Sequence, residues 1–149
     1  MLTAAEDQRV RGVLLVDAGV PGYFTRELLD QTLAAYRPQY AEVEERLPEL
    51  ARTLIPLLEA YPRTARSLEL GTIPPSLPII CIVAEHPGEL TEENNDLWLE
   101  AQERFARASP SRRLVVATDS SHTVMQDRPD LIQTCLAELV STVTAVRTG

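Results

Sequence analysis

Three short stretches of this chain are apolar almost throughout, not at alternate positions. Val13-Leu14-Leu15-Val16-Asp17 lies between Gly12 and Ala18-Gly19. Leu77-Pro78-Ile79-Ile80-Cys81-Ile82-Val83-Ala84 follows Ile73-Pro74-Pro75 and stops before His86-Pro87-Gly88. Arg113-Leu114-Val115-Val116-Ala117-Thr118 lies between Ser109-Pro110 and Asp119-Ser120-Ser121. Runs of this length with turn residues at both ends predict strands, and unbroken hydrophobicity predicts strands covered on both faces, as in a parallel sheet. Between the second and third runs, Leu97, Trp98, Ala101, Phe105 and Ala108 recur at helical spacing, with Thr91 as N-cap before Glu92 and Glu93. After the third run, Leu131, Cys135, Leu139 and Val143 form one row flanked by Ile132, Leu136 and Val140. Pro129 fits the first turn of that helix and Asp127 its cap. Strands alternating with helices predict an α/β fold, a mostly parallel sheet of about three strands.

Residues 24–70 break this rhythm. Leu28, Leu29, Leu33 and Tyr36, then Val43, Leu47, Leu50, Leu54, Leu57 and Leu58, keep helical spacing. Pro38, Pro48, Pro56 and Pro62 are expected to limit how far any one helix runs unbent. Two readings stay open: a helical cap-like insertion between two strands, or crossover helices packed on the sheet. The first divides the chain into a core, residues 1–23 and 71–149, and an insertion, residues 24–70.

The length of 149 residues fits one domain, and 44% hydrophobic with 24% charged residues is ordinary for a globular protein. A formal charge of −8, with 22 acidic residues against 14 basic ones, argues against nucleic acid as partner, since phosphate binding needs a basic stripe. No apolar run approaches the roughly 18 residues of a membrane span, and residues 1–10 lack a basic stretch followed by an apolar one. Cys81 and Cys135 both sit on apolar faces, which predicts buried thiols and, by default, a cytoplasmic location.

Candidate chemistry gathers at the ends of the predicted strands, where parallel α/β sheets place functional groups. His122 follows the third strand, and imidazole titrates near neutral pH, so it is a candidate general base; a loop histidine can equally be a surface or capping residue. Asp17 ends the first strand and can orient that imidazole, or merely cap the Ala18-Gly19 turn. Glu85 and Glu89, beside His86 after the second strand, are the other carboxylates. Two histidines without a helical or paired-cysteine ligand motif make no metal site, and no cofactor is expected. Ser120 and Ser121 read as turn residues, because a serine adjacent to a histidine in sequence rarely meets its ring. Trp98 and Phe105 read as core anchors.

Taken together, these segments resemble the part of the α/β-hydrolase family that follows its nucleophile elbow. Arg9 through Ala18 is similar to the sixth strand and its lead-in, Leu77 through Ala84 to the seventh, and Ser120-Ser121-His122 with Gln126-Asp127-Arg128-Pro129-Asp130-Leu131 to the histidine loop and final helix. The resemblance covers nearly the whole chain. It implies a partial α/β-hydrolase fold, His122 as triad base, and residues 24–70 in the cap slot. Two departures matter. The family's usual glycine before the histidine is Ser121, and Pro87 stands about where the triad acid is expected after the seventh strand. Some family members place the acid at the end of the sixth strand, which here is Asp17; Glu85 and Glu89 rank behind it.

No Gly-x-Ser-x-Gly occurs in the chain, so a serine nucleophile and its oxyanion donors are expected from a front half that precedes Met1. The leading expectation is therefore the C-terminal part of a serine-type hydrolase for an ester or similar acyl substrate, incomplete by itself. A non-catalytic binding or assembly module with the same fold is the alternative. A phosphatase-type domain with Asp17 as nucleophile is disfavoured because Gly19 occupies the place of its second aspartate. An uncompleted sheet would expose a strand edge and apolar faces. We therefore expect the chain to pair with a complementary N-terminal half or to self-associate through that edge; light scattering that finds a stable monomer with no bound polypeptide contradicts this.

Overall fold

The structure is a computed structural model that describes residues 9–69, 73–87 and 92–145. Its one sheet, among those residues, has three strands: β1 (Val13–Val16), β2 (Ile79–His86) and β3 (Arg112–Ser121). They are ordered β1-β2-β3, and both pairings are parallel. Among the described residues six α-helices accompany them: α1 (Arg26–Tyr36), α2 (Tyr40–Arg46), α3 (Pro48–Glu69), α4 (Glu92–Arg107), α5 (Val124–Asp127) and α6 (Pro129–Ala145). The chain forms two compact units, one from residues 1–23 and 72–149 and the other from residues 24–71.

Among the described residues of the sheet unit only β2 has a neighbour on each side, and its first six residues are buried. Side chains alternate across a strand, so β2 serves two cores. Ile80, Ile82 and Ala84 pack with Ala117 of β3, Val124 of α5, and Cys135 and Leu139 of α6, joined by Leu14, Val16, Val115, Leu131 and Ile132. Ile79, Cys81 and Val83 face the other way, and α4 packs on β2 and β3 with Trp98, Ala101 and Phe105 buried. The Arg112 guanidinium lies 4.3 Å from the Phe105 ring centre on that side. Burial pushes the Cys81 thiol up to about 11, which keeps it protonated and unreactive.

The unbroken apolar pattern overstates the burial of the outer strands. β1 is half-buried along its length, and in β3 only Ala117 and Ser120 are buried, because each has a strand on one side only. Strand limits also differ from the pattern. Pro78 has no N–H for the ladder, so β2 begins at Ile79, two residues into the apolar run. Both β2 and β3 then run on past the apolar segment through a bulge, which brings His86 opposite Ser121. Asp119 enters the left-handed region there, at φ 57°. In α6 the row Leu131, Cys135 and Leu139 faces the sheet, while Leu136 and Val140 are exposed.

In the second unit, Thr25 caps α1 by accepting the Leu28 N–H, and Leu29 and Leu33 are buried. The helix α3 runs 22 residues, and Pro56 and Pro62 lie inside it without ending it. Pro48 costs nothing at the helix start. The two interior prolines each withdraw one N–H from the ladder, and the packing of α1 and α2 on α3 holds the segment helical, as tertiary contact generally does where propensity is weak. Arg37 ties the end of α1 to α3 through two hydrogen bonds to Glu59, at 2.9 and 2.8 Å. Leu54 and Leu58 are half-buried, whereas Leu47, Leu50 and Leu57 are exposed. Among the described residues no helix is long and apolar enough to cross a membrane.

The contrast between the two sides of α6 and β2 yields a stability prediction. Ile82, 1% exposed at the centre of the sheet, should cost about 3 kcal/mol when replaced by alanine. Leu136→Ala, at a position 49% exposed, should cost less than about 0.5 kcal/mol. Urea unfolding of the two variants checks the order; equal losses would contradict the assignment of faces.

Candidate active site

Parallel strands open their C-terminal ends on one side of the sheet, and three segments meet there. Asp17 is the first residue beyond β1. Its N–H still donates to the Ile82 carbonyl at 2.7 Å, after which the backbone turns into the left-handed region at φ 42°. Aspartate is one of the few residues besides glycine that enter that region readily. The Asp17 Oδ1 accepts the Ala84 N–H of β2 at 3.0 Å and the Trp98 Nε1–H of α4 at 3.2 Å. Its Oδ2 lies 2.5 Å from the His122 Nδ1.

The Asp17 side chain is 0% exposed, and that of His122 is 67% exposed. A carboxylate taken out of water without partners would cost several kcal/mol; here three donors converge on it. With Nδ1 donating to Asp17, the neutral imidazole keeps Nε2 as its acceptor, in a ring whose larger part faces solvent. The arrangement can orient a base, fix its tautomer and offset the charge gained when Nε2 takes a proton.

The helix α4 holds the Asp17 turn from behind. Besides the indole N–H, the Gln102 Nε2 donates to the Ala18 carbonyl at 2.8 Å, and the Arg104 Nη2 to the Gly22 carbonyl at 3.2 Å. Tyr23 meets Trp98 edge to face, with ring centres 4.6 Å apart. Trp98 is thus buried and also a hydrogen-bond donor to Asp17, a role that helical periodicity did not reveal. Gln102 escaped notice altogether, although a long amide four residues after Trp98, on an apolar helix face, was a signal: a buried amide requires a partner.

The remaining candidates sit elsewhere. Glu85 Oε2 accepts the Asp119 N–H at 2.8 Å and so secures the bulge between β2 and β3. His86 is exposed, 3.9 Å from Glu85. Ser120 and Ser121 belong to β3 instead of a turn, and their hydroxyl hydrogen bonds run to the Ser121 carbonyl, Thr123 and Asp127. Glu89 and Thr91 lie outside the described residues. Among the described residues no three His, Cys, Asp or Glu side chains gather as a metal site. Comparison of the chain with family models, with curated proteins and with solved structures finds no match.

Replacing Asp17 tests whether its carboxylate organises these strand ends. Asp17→Ala leaves the Ala84 N–H and the Trp98 indole N–H buried without acceptors, and should cost about 3 kcal/mol in urea unfolding. Asp17→Asn retains an acceptor oxygen and should lose about half as much. An alanine variant as stable as the parent protein would show that the carboxylate is incidental to the fold.

Proposed function

We propose that this chain supplies the histidine and the acid of a serine-type α/β-hydrolase centre acting on an ester or similar acyl substrate. The observation that carries the proposal is the Asp17–His122 pair: a buried, fully hydrogen-bonded carboxylate 2.5 Å from the Nδ1 of an exposed imidazole. That is the acid–base half of a triad, in which the carboxylate orients the ring and stabilises its protonated form while Nε2 takes the proton of a nucleophile. Three adjacent parallel strands in chain order, with the acid after the first and the histidine after the third, are consistent with the family's sixth to eighth strands. In this reading residues 24–70 fill the cap position.

The nucleophile and the oxyanion donors come from a complementary segment, encoded upstream or as a separate chain. β1 is paired on one side only among the described residues, which leaves an edge for that segment to extend. Two free, buried cysteines, Cys81 and Cys135, favour a reducing, cytoplasmic setting. A non-catalytic binding or assembly module is the weaker reading, because neither role needs an exposed histidine on a buried carboxylate at 2.5 Å.

The test joins the chain to an upstream segment that carries Gly-x-Ser-x-Gly and follows p-nitrophenyl acetate hydrolysis. We expect turnover in the joined protein, none in the chain alone, and a drop in kcat of at least about 1,000-fold on His122→Ala. A joined, folded protein without esterase activity, or one indifferent to His122→Ala, would refute the proposal.

A further inference from the structure

The segment Gln126-Asp127-Arg128-Pro129-Asp130 has no part in the acid–base pair, yet the Asp127 and Arg128 side chains reach back to β3 on the N-terminal side of His122. The Asp127 Oδ2 accepts the Ser121 N–H at 2.9 Å and the Ser121 hydroxyl at 2.6 Å, and the Ser120 hydroxyl approaches it at 3.5 Å. The Ser121 Oγ in turn accepts the Thr123 N–H at 3.2 Å and lies 2.8 Å from the Thr123 Oγ1. The residues on both sides of His122 are therefore joined to one carboxylate oxygen. From the far side, the Gln126 and Asp127 N–H groups donate to the Thr123 carbonyl, closing the turn of α5.

Arg128 makes the second attachment. Its Nη1 donates to the Thr118 carbonyl of β3 at 3.0 Å, while Nε and Nη2 grip both oxygens of Asp130 at 3.1 and 3.0 Å. Asp130 lies in the first turn of α6, so the guanidinium joins β3 to the start of that helix in a bidentate geometry that lysine does not reproduce. The Ser121 hydroxyl and amide together hold the Asp127 carboxyl below its ordinary range.

An Asp127 that only capped α6 would turn its oxygens to the N–H groups of that helix. Its oxygen is spent on Ser121 and Ser120 instead. We infer that Asp127 is a positioning residue for His122, holding through Ser121 the turn that presents the imidazole to Asp17, with Arg128 securing the strand below it. The inference rests on the reading of His122 as the base of the site. An imidazole at hydrogen-bond distance from a buried carboxylate tolerates little displacement, and between buried Ser120 and Val124 the three turn residues Ser121, His122 and Thr123 are exposed, so hydrogen bonds must fix them.

The test uses the full chain and needs no substrate. With histidine labelled by 15N, the Nδ1–H of His122 should appear as a slowly exchanging downfield proton, identified by its loss in His122→Gln. In Asp127→Ala its exchange with water should quicken by about ten-fold or more, as expected for losing hydrogen bonds to a charged acceptor, and Asp127→Glu should recover part of the protection. Asp127→Asn, which keeps the shape but removes the charge that strengthens both Ser121 hydrogen bonds, serves if the alanine variant does not fold and should quicken exchange by about three-fold or more. Wild-type protection in a folded Asp127→Ala or Asp127→Asn protein overturns this inference alone. Absence of the signal in the parent protein overturns the Asp17–His122 pair, and the functional reading with it.

Discussion

A carboxylate with no exposed surface has to be matched by donors from the protein itself, and at Asp17 those donors come from three different segments. Ala84 contributes a main-chain N–H from β2, Trp98 an indole N–H from α4, and His122 a ring nitrogen from beyond β3. Ala84 is fixed by the sheet ladder, Trp98 by the packing of α4 on the sheet, and His122 by a turn tied to Asp127. The desolvation cost of one charge thereby ties the strand ends and α4 to a single geometry, since shifting any of them leaves a buried polar group unmatched.

The sheet makes that convergence possible. Two parallel pairings in the order β1-β2-β3 bring the ends of all three strands to one side, and the central strand β2 is short of water on both faces. Its two cores differ in character. One is aliphatic, built with α6; the other carries Trp98, Phe105, Gln102 and the stacked Arg112, and is therefore able to hold polar groups at the sheet end. The bulge at the end of β2 and β3, secured by Glu85, extends the outer strand to Ser121 and so sets where His122 begins its turn.

The stretch Asp127-Arg128-Pro129-Asp130 does two things at once in this fold. Pro129 starts α6, Asp130 and Arg128 pair across its first turn, and the two residues before the proline hold β3 and the histidine turn by side chain. A helix start and a loop anchor are built from the same few residues. This explains why the spacing between His122 and Pro129 is short and rich in polar groups.

Much of the fold was legible in local pattern. Apolar runs bounded by glycine and proline locate the three strands, and rows at three- and four-residue spacing locate α4 and α6, because both signals depend on neighbours only a few positions apart. Strand-end position singles out Asp17 and His122 in the same way. What local pattern did not carry was the outcome of distant encounters. It did not tell central strand from edge, since hydrophobicity records a tendency to be buried and not what arrives to cover a residue. It did not say whether one helix or several cover residues 48–69, where α1 and α2 pack on a single helix that contains Pro56 and Pro62. Nor did it reveal that Trp98 and Gln102 hold the Asp17 turn, although it did offer Asp17 as a partner for His122, a contact that the fold makes across 105 positions. The sequence by itself determined the elements and the kinds of group at their ends; the tertiary structure alone decided which of those groups meet, because a buried charge selects its partners from whatever the fold brings within hydrogen-bond reach.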